Sequence, residues 1–81
     1  MKKLNPMAAG LAFGILWAAG VLIVGLIATY NGYGSEMINT LGTVYLGLKT
    51  TLAGVLIGTV WGFIDAFIGG YLFAWLYNKF A

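Results

Sequence analysis

The sequence predicts an all-α membrane protein, a two-helix transmembrane hairpin with a short interfacial helix in its connecting loop. Two observations on composition support this fold class: 62% of the 81 residues are hydrophobic, and only 7% are charged. A soluble domain of this size would need several times as many charges to cover its surface. The third observation is that two apolar runs are each long enough to cross a hydrocarbon core ~30 Å thick.

The first apolar run, residues 6–30, predicts transmembrane helix 1. It begins at Asn5-Pro6, a typical helix start, because Asn caps free backbone amides and Pro fits the first helical position. A charged N-terminus before an apolar run also resembles a signal peptide. The run continues to Ile27, which is longer than the ~7–15 residues of a signal-peptide core. We therefore expect that this segment is not cleaved as a signal peptide and that it forms transmembrane helix 1.

The second apolar run, residues 51–77, predicts transmembrane helix 2, with Thr50 or Thr51 as its N-cap. Residues 31–50 connect the two spans, so that 1–81 is a single membrane domain. Within the connector, Ser35 is a good N-cap for apolar residues that recur at helical spacing. This pattern predicts an amphipathic helix over about 36–48, lying on the membrane surface. Its apolar positions are Met37, Ile38, Leu41, Val44, Tyr45 and Leu48.

Positive charge predicts the topology. Lys2, Lys3 and Lys79 lie near the termini, whereas the connector carries Glu36 and Lys49 and has no net charge. Because loops rich in lysine stay in the cytoplasm, we expect both termini to be cytoplasmic in a multi-pass protein of the inner (cytoplasmic) membrane. The aromatic residues expected at the outer interface are Tyr30, Tyr33 and Tyr45, and those at the inner one are Trp75, Tyr77 and Phe80.

The two spans resemble each other at an offset of 44 residues. The matched positions are Ala9, Gly10, Gly14, Trp17, Gly25 and Tyr33 with Ala53, Gly54, Gly58, Trp61, Gly69 and Tyr77. Since consecutive spans run in opposite directions, this would be an inverted repeat of the kind found in transporters. Two independently glycine-rich helices would give a similar pattern, and both interpretations stay open.

Small residues four apart predict a helix-packing face on each span, as in GxxxG motifs, because they let helix backbones approach closely. The expected packing residues are Gly10, Gly14, Ala18 and Gly25 in the first span and Gly54, Gly58, Gly62 and Gly69 in the second. The opposite side of the second span carries a bulky face suited to lipid. That face consists of Leu56, Val60, Phe63, Phe67 and Tyr71.

Asp65 lies in the middle of the second apolar run and on its glycine face. A carboxylate at this depth costs at least ~2.5–3.5 kcal/mol on insertion scales. It is therefore expected to be buried between helices and hydrogen-bonded, to line a proton or cation path, or to set assembly in a subunit interface. Two helices alone are too few to surround such a group and separate it from lipid. We therefore expect a homo-oligomer, or a partner membrane subunit on the glycine face.

Trp17 and Trp61 also lie near mid-membrane, although tryptophan prefers the interfaces. One interpretation is that their rings fill space beside glycines. The other is that they donate to Asp65 or form a cation–π wall in a pore. Trp17 is expected at the same depth as Asp65, so its indole N–H is a candidate donor to the carboxylate, and Thr59 or Trp61 is expected to assist.

Two segments carry a family resemblance: the run 61–70, WGFIDAFIGG, and the run 73–79, FAWLYNK. With Gly14-Ile15-Leu16-Trp17 and Tyr33-Gly34, they resemble a largely uncharacterised family of small two-span prokaryotic membrane proteins. Some members of that family carry the label bacteriophage holin. The resemblance implies a membrane hairpin and a holin-like pore that permeabilises the membrane.

Enzyme chemistry is not expected. The sequence has no cysteine or histidine, which leaves no common nucleophile–base pair and no usual zinc or haem ligands. Its two acidic residues lie far apart in the chain, and no phosphate-binding loop occurs. No cofactor or metal is predicted, and a net charge of +2 does not indicate nucleic acid.

The sequence thus predicts a small pore or channel-type protein of the lipid bilayer, with Asp65 as its central polar group and protons or small cations as candidate permeants. The alternative is a non-conducting accessory or structural subunit of a larger membrane complex. A pore should assemble by itself and leak ions, whereas an accessory subunit should co-purify with a partner.

Overall fold

The computed structural model describes residues 3–81, and over this range it is all-helical. Its three helices are α1, Pro6–Asn31; α2, Ser35–Leu41; and α3, Leu52–Phe80. Lys2, which contributes to the predicted topology, lies outside the described residues. The bounds of the long helices differ from the expected runs 6–30 and 51–77 by only a few residues, chiefly at the end of α3.

α1 and α3 pack along their length as an antiparallel pair, since Gly10 lies against Phe67 whereas Gly25 lies against Val55. The molecule is a rod of 45 × 18 × 18 Å, about the thickness of a bilayer with its headgroup regions, ~40–45 Å. Both helices are long and apolar enough to cross a membrane. The architecture is therefore compatible with a membrane helical hairpin.

Side-chain caps start both long helices, as the sequence indicates. The Asn5 side-chain oxygen accepts the backbone N–H groups of Met7 at 2.9 Å and Ala8 at 3.2 Å, and Pro6 is the first helical residue. Thr51, rather than Thr50, caps α3 by accepting the N–H of Gly54 at 3.0 Å. These bonds satisfy amides that have no partner within the helix.

Glycines of α1 face large side chains of α3. Carbons added at Gly10 and Gly14 would lie 3.1 and 3.0 Å from the rings of Phe67 and Phe63. The expectation that these two phenylalanines face lipid is therefore wrong: glycines without side chains leave hollows in α1, and the rings fill them. The other three members of that face are exposed: Leu56, Val60 and Tyr71.

Glycines of α3 face α1 in the same way. Gly62 packs against Trp17, and Gly70 lies against the Phe13 side chain and the Ala9 carbonyl oxygen. Gly69, expected in this face, instead has open space where a side chain would start. The buried expected packing residues are Gly10, Gly14, Ala18, Gly25, Gly54, Gly58 and Gly62. The contact surface between α1 and α3, here called the seam, is thus filled by side chains from both helices of one chain.

The connector differs from the surface helix expected over 36–48. α2 ends at Leu41, Gly34 rather than Ser35 is its N-cap residue, and the Ser35 hydroxyl donates to the Gly32 carbonyl oxygen at 2.7 Å. Gly47 has φ 92°, a left-handed conformation that is incompatible with a continuing helix. Residues 42–51 therefore form turns rather than the second half of an amphipathic helix.

Residues 42–51 fold back over α1 and α3. Carbons added at Gly54 and Gly47 would lie 2.7 Å from the Lys49 backbone nitrogen and 3.0 Å from Ile57, and Leu48 packs directly on Gly58. The connector therefore runs alongside the first turns of α3. It completes a buried cluster with α1 and α2, formed by Val21, Ala28, Ile38, Tyr45 and Leu48.

The two ends of the described chain are tied together at the opposite end of the rod. The Leu4 backbone N–H donates to Asn78 Oδ1 at 2.7 Å, and Asn78 Nδ2 donates to the Leu4 carbonyl oxygen at 2.7 Å. One amide side chain thus fixes the start of α1 against the end of α3.

Candidate functional site

Asp65 lies near the midpoint of α3, 13 residues after its first residue. At ~1.5 Å per residue this places it ~20 Å along the helix, far from either end. The side chain is exposed on the outer surface of the hairpin rather than buried between α1 and α3. The simplest structural interpretation, a carboxylate enclosed by the two helices, does not describe this arrangement.

The connector reaches Asp65 through Tyr45. The Tyr45 hydroxyl donates to Asp65 Oδ2 at 2.6 Å. This separation falls in the ~2.5–2.7 Å range of hydrogen bonds from a hydroxyl to a charged carboxylate. A residue 20 positions earlier in the chain therefore provides the donor for the acid in the middle of α3.

Trp17 completes the chain of hydrogen bonds. Its indole Nε1–H donates to the Tyr45 hydroxyl oxygen at 3.0 Å. The expected direct bond from Trp17 to Asp65 is therefore wrong, because the Tyr45 hydroxyl lies between them and bonds to both. The expected similarity in depth of Trp17 and Asp65 agrees with this geometry, since a single hydroxyl bridges them.

Trp61 and Thr59 do not bond to Asp65. The Trp61 indole donates to the Leu46 carbonyl oxygen at 2.8 Å, and its ring lies parallel to that of Tyr45, with centroids 6.3 Å apart and 3° between planes. The Thr59 hydroxyl donates to the Val55 carbonyl oxygen of its own helix at 2.8 Å. Trp61 thus holds the connector, and Thr59 has no part in the site.

Both mid-helix tryptophans anchor adjacent connector residues, Trp17 at Tyr45 and Trp61 at Leu46. This matches the repeat in the sequence, in which the two tryptophans are equivalent. Other matched pairs are not equivalent in their surroundings, since Gly25 is packed against Val55 whereas Gly69 is open. The likeness between the spans is therefore clearest where they hold the connector.

Tyr45 is the member of the site that sequence reasoning missed, since it was expected at the outer interface. It is only 5% exposed. Burial, and then the hydrogen bond to Asp65, raise the pKa of the phenol above its ordinary value of 10.0, so the group keeps its proton and remains a donor. The only signal in the sequence was the place of Tyr45 in an apolar periodicity, which gives no information about its hydroxyl.

The second carboxylate oxygen, Asp65 Oδ1, accepts no hydrogen bond from any of residues 3–81. Within that range, His, Cys, Asp and Glu form no group of three or more that could hold a metal ion. The arrangement is a single acid with one oxygen bonded to Tyr45 and the other open to whatever covers the outer face. Such a group can take up a proton, pair with a cation or bond to another subunit.

Comparisons with family models, with curated proteins and with solved structures gave no match to this chain. The class of protein therefore follows from the fold alone: two long apolar helices compatible with a membrane hairpin, joined by a connector that folds back on them.

Proposed function

We propose that this protein spans the prokaryotic inner membrane twice, with both termini in the cytoplasm, and assembles into a homo-oligomeric, holin-like pore or channel. Asp65 lines the path, and protons or small cations are the permeants. The observation that carries the proposal is the exposed position of Asp65 midway along a long apolar helix.

The physical argument is the cost of placing a carboxylate against hydrocarbon. A charged side chain at the centre of a bilayer costs at least ~2.5–3.5 kcal/mol, and such groups in known membrane proteins face a bundle interior or water. One hydrogen bond from Tyr45 satisfies only one of the two oxygens. Water or another subunit is therefore needed on the outer face of α3.

A path for ions must run between copies, because the seam inside one hairpin is filled. Side chains occupy the hollows over Gly10, Gly14, Gly25 and Gly62, so the glycine faces expected to join subunits are already used within the chain. Gly69 is the exception. It lies four residues after Asp65, which places both on the same side of α3.

Gly69 also lines an apolar groove of about 360 Å³ with Trp17 and Phe73 among its other lining residues. A groove with a glycine in its floor suits close approach of another transmembrane helix. A second copy seated there would place its surface beside Asp65. The same features suit a partner subunit in a larger complex, which is the alternative, non-conducting function.

Flux into liposomes tests the proposal. Purified protein is reconstituted, and proton and potassium flux are compared for the wild type, Asp65→Asn and the control Glu36→Gln. The first substitution keeps the side-chain shape and removes the intramembrane charge, whereas the second removes the charge of the connector. We expect flux in the wild type and in Glu36→Gln and its loss in Asp65→Asn. Absence of flux from all three, with correct insertion, would exclude an autonomous pore.

Disulfide crosslinking separates the assembly from its activity. Because the sequence has no cysteine, a single introduced cysteine can form disulfides only between molecules. Gly69→Cys should crosslink efficiently in the membrane, whereas Gly20→Cys, at another position with open space, should crosslink weakly. Equal, weak crosslinking at both positions would argue against assembly through the Asp65 face and favour the accessory function.

A further inference from the structure

The connector meets α3 well beyond its first turns. Trp61, whose indole donates to the Leu46 carbonyl oxygen at 2.8 Å, lies nine residues after the first residue of α3, which is ~14 Å along the helix. α3 has 29 residues and is therefore ~44 Å long, so a hydrocarbon core of ~30 Å centred on it begins ~7 Å from either end. In a membrane that α3 spans, this part of the connector lies inside the core.

The connector enters and leaves this depth as a narrow hairpin. Its two arms meet at Gly42, where an added carbon would lie 2.8 Å from the Leu48 carbonyl oxygen. The two charged residues of the connector, Glu36 and Lys49, flank the hairpin, and none of residues 37–48 is charged. Because charged side chains are costly in hydrocarbon, an uncharged turn between two charged residues suits a segment that dips into a membrane.

The tip of the hairpin, residues 42–45, has only part of its backbone satisfied. Its four amides donate to carbonyl oxygens of α2 at 2.8–3.1 Å. The carbonyl groups of Gly42, Thr43 and Val44 accept no hydrogen bond from any of residues 3–81, and the last two residues are exposed. Irregular backbone at membrane depth occurs only where it is buried in protein or lines a water-filled cavity. Since the same chain does not cover these oxygens, they need water.

We infer from this geometry that the connector is a re-entrant segment whose tip lines the outer half of a water-filled path to Asp65. The tip reaches this acid directly, since the Tyr45 hydroxyl donates to Asp65 Oδ2 at 2.6 Å. The inference rests on the proposed membrane location of α3, and it deepens the proposed path by naming a second part of its wall. Carbonyl and carboxylate oxygens are acceptors, which suits water and small cations.

Thiol labelling tests whether water reaches the tip. Because the sequence has no cysteine, single cysteines can be labelled in liposomes with a membrane-impermeant trimethylammonium thiosulfonate added to both sides. The modified fraction is measured by mass spectrometry. We expect Thr43→Cys to be labelled as fully as Tyr33→Cys, at a residue between α1 and α2 that is 79% exposed.

Val60→Cys is the matched control inside the span. Val60 is 61% exposed, lies ~12 Å from the first residue of α3, and is separated from Asp65 by about 140° around the helix. It should remain unlabelled, because a cationic reagent does not enter hydrocarbon.

A pair of cysteines tests whether the connector lies against α3 in the membrane. A carbon added at Gly58 would lie 3.1 Å from Leu48 Cβ, close to the ~3.5–4.5 Å between the Cβ atoms of a disulfide. Leu48→Cys combined with Gly58→Cys should therefore form a disulfide within one molecule, detected as loss of both thiols to alkylation. If that variant does not fold, Lys49→Cys with Gly54→Cys, where the two carbons would be 2.9 Å apart, gives the same test.

Each failure has a distinct meaning. Thr43→Cys that stays unlabelled, like Val60→Cys, would overturn the inference and place the tip against acyl chains, which the exposed side chains of Val44 and Leu46 would suit. Absence of the disulfide would overturn it by showing that the connector lies away from α3. Labelling of Val60→Cys would overturn the proposed membrane location of α3, and the inference with it.

None of these measurements depends on conduction. Labelling of Thr43→Cys in a protein without flux would support the water-lined tip and exclude the autonomous pore. Flux in the wild type with an unlabelled Thr43→Cys would do the reverse, and the pore would then follow a path away from the connector.

Discussion

The helix seam and the connector site hold the same two helices together by different means. Along the seam, glycines on each helix receive large side chains from the other, as at Gly10 with Phe67, and shape alone brings the helices together. At the connector, Trp17, Trp61 and Asp65 each hydrogen-bond to Tyr45 or Leu46. The comparison teaches that apolar packing joins the two long helices, and that polar groups hold the connector that turns back on them.

The two regions should therefore respond differently to substitution. The seam should be sensitive to added volume, because backbone atoms that lie against a glycine cannot move without shifting a helix. The connector site should be sensitive to loss of individual donors, because each polar side chain there makes only one or two hydrogen bonds.

The largest effect is expected in the seam, from Gly70→Ala. Its new carbon would lie 2.7 Å from the Ala9 carbonyl oxygen, a contact that requires a backbone shift, and overpacking of this kind costs about 1–3 kcal/mol. Unfolding in mixed detergent micelles, followed by circular dichroism, gives the free energy. The matched control is Gly69→Ala, whose added carbon enters open space and should cause no loss. Equal stability of the two variants would contradict the packing described for the seam.

A smaller effect is expected from Tyr45→Phe, which keeps the ring but removes the bonds to Asp65 and Trp17. Both lost bonds are only partly buried, so their loss should cost about 1–2 kcal/mol in total, and it should be local to the connector. Hydrogen exchange should accelerate for residues 42–51 and remain slow in the middle of α1. Uniform acceleration along both long helices would show that the connector and the seam open together as one cooperative unit.

Trp61→Phe should have a weaker effect of the same kind. It removes the one bond to the Leu46 carbonyl oxygen while keeping a ring that can stack on Tyr45. A single hydrogen bond contributes about 0.5–1.5 kcal/mol, so exchange in the connector should rise less than in Tyr45→Phe. A greater rise would identify Trp61, rather than Tyr45, as the main anchor.

The smallest effect is expected from Asn78→Ala at the termini. The substitution removes both hydrogen bonds to Leu4, but these bonds are exposed and water replaces them, so the loss should be about 0.5 kcal/mol. Exchange at the Leu4 amide should increase, while the connector and the seam remain as in the wild type. Altered exchange in the connector would reveal coupling between the two ends of the rod.

Much of the fold could be predicted because it depends on local properties of the chain. Hydrophobic length gave the two long helices, and the caps at Asn5 and Thr51 depend on residues only a few positions away. Burial of small residues also follows from helical spacing, and it is observed from Gly10 to Gly62. The choice between Gly69 and Gly70 was missed, because adjacent residues differ by ~100° around a helix and the twist of the pair decides which one faces the partner.

The candidate site was only half predictable. Asp65 and Trp17 stood out because a polar group and an indole are unusual in the middle of an apolar run. Tyr45 did not, because its role depends on the path of the connector. That path is set by Gly47 with φ 92° and by the fit of Leu48 on Gly58, which are properties of the folded chain.

By itself, the sequence determined the helical class, the approximate lengths and starts of the two long helices and the presence of one acid in the middle of the second, since composition and short-range hydrogen bonding fix these features. Only the tertiary structure decided that the connector turns inward, that Tyr45 lies between Trp17 and Asp65, and that the carboxylate lies on the outer face. These features depend on contacts between residues far apart in the chain, such as Trp17 and Tyr45, 28 positions apart, and no local pattern encodes which distant partners will meet.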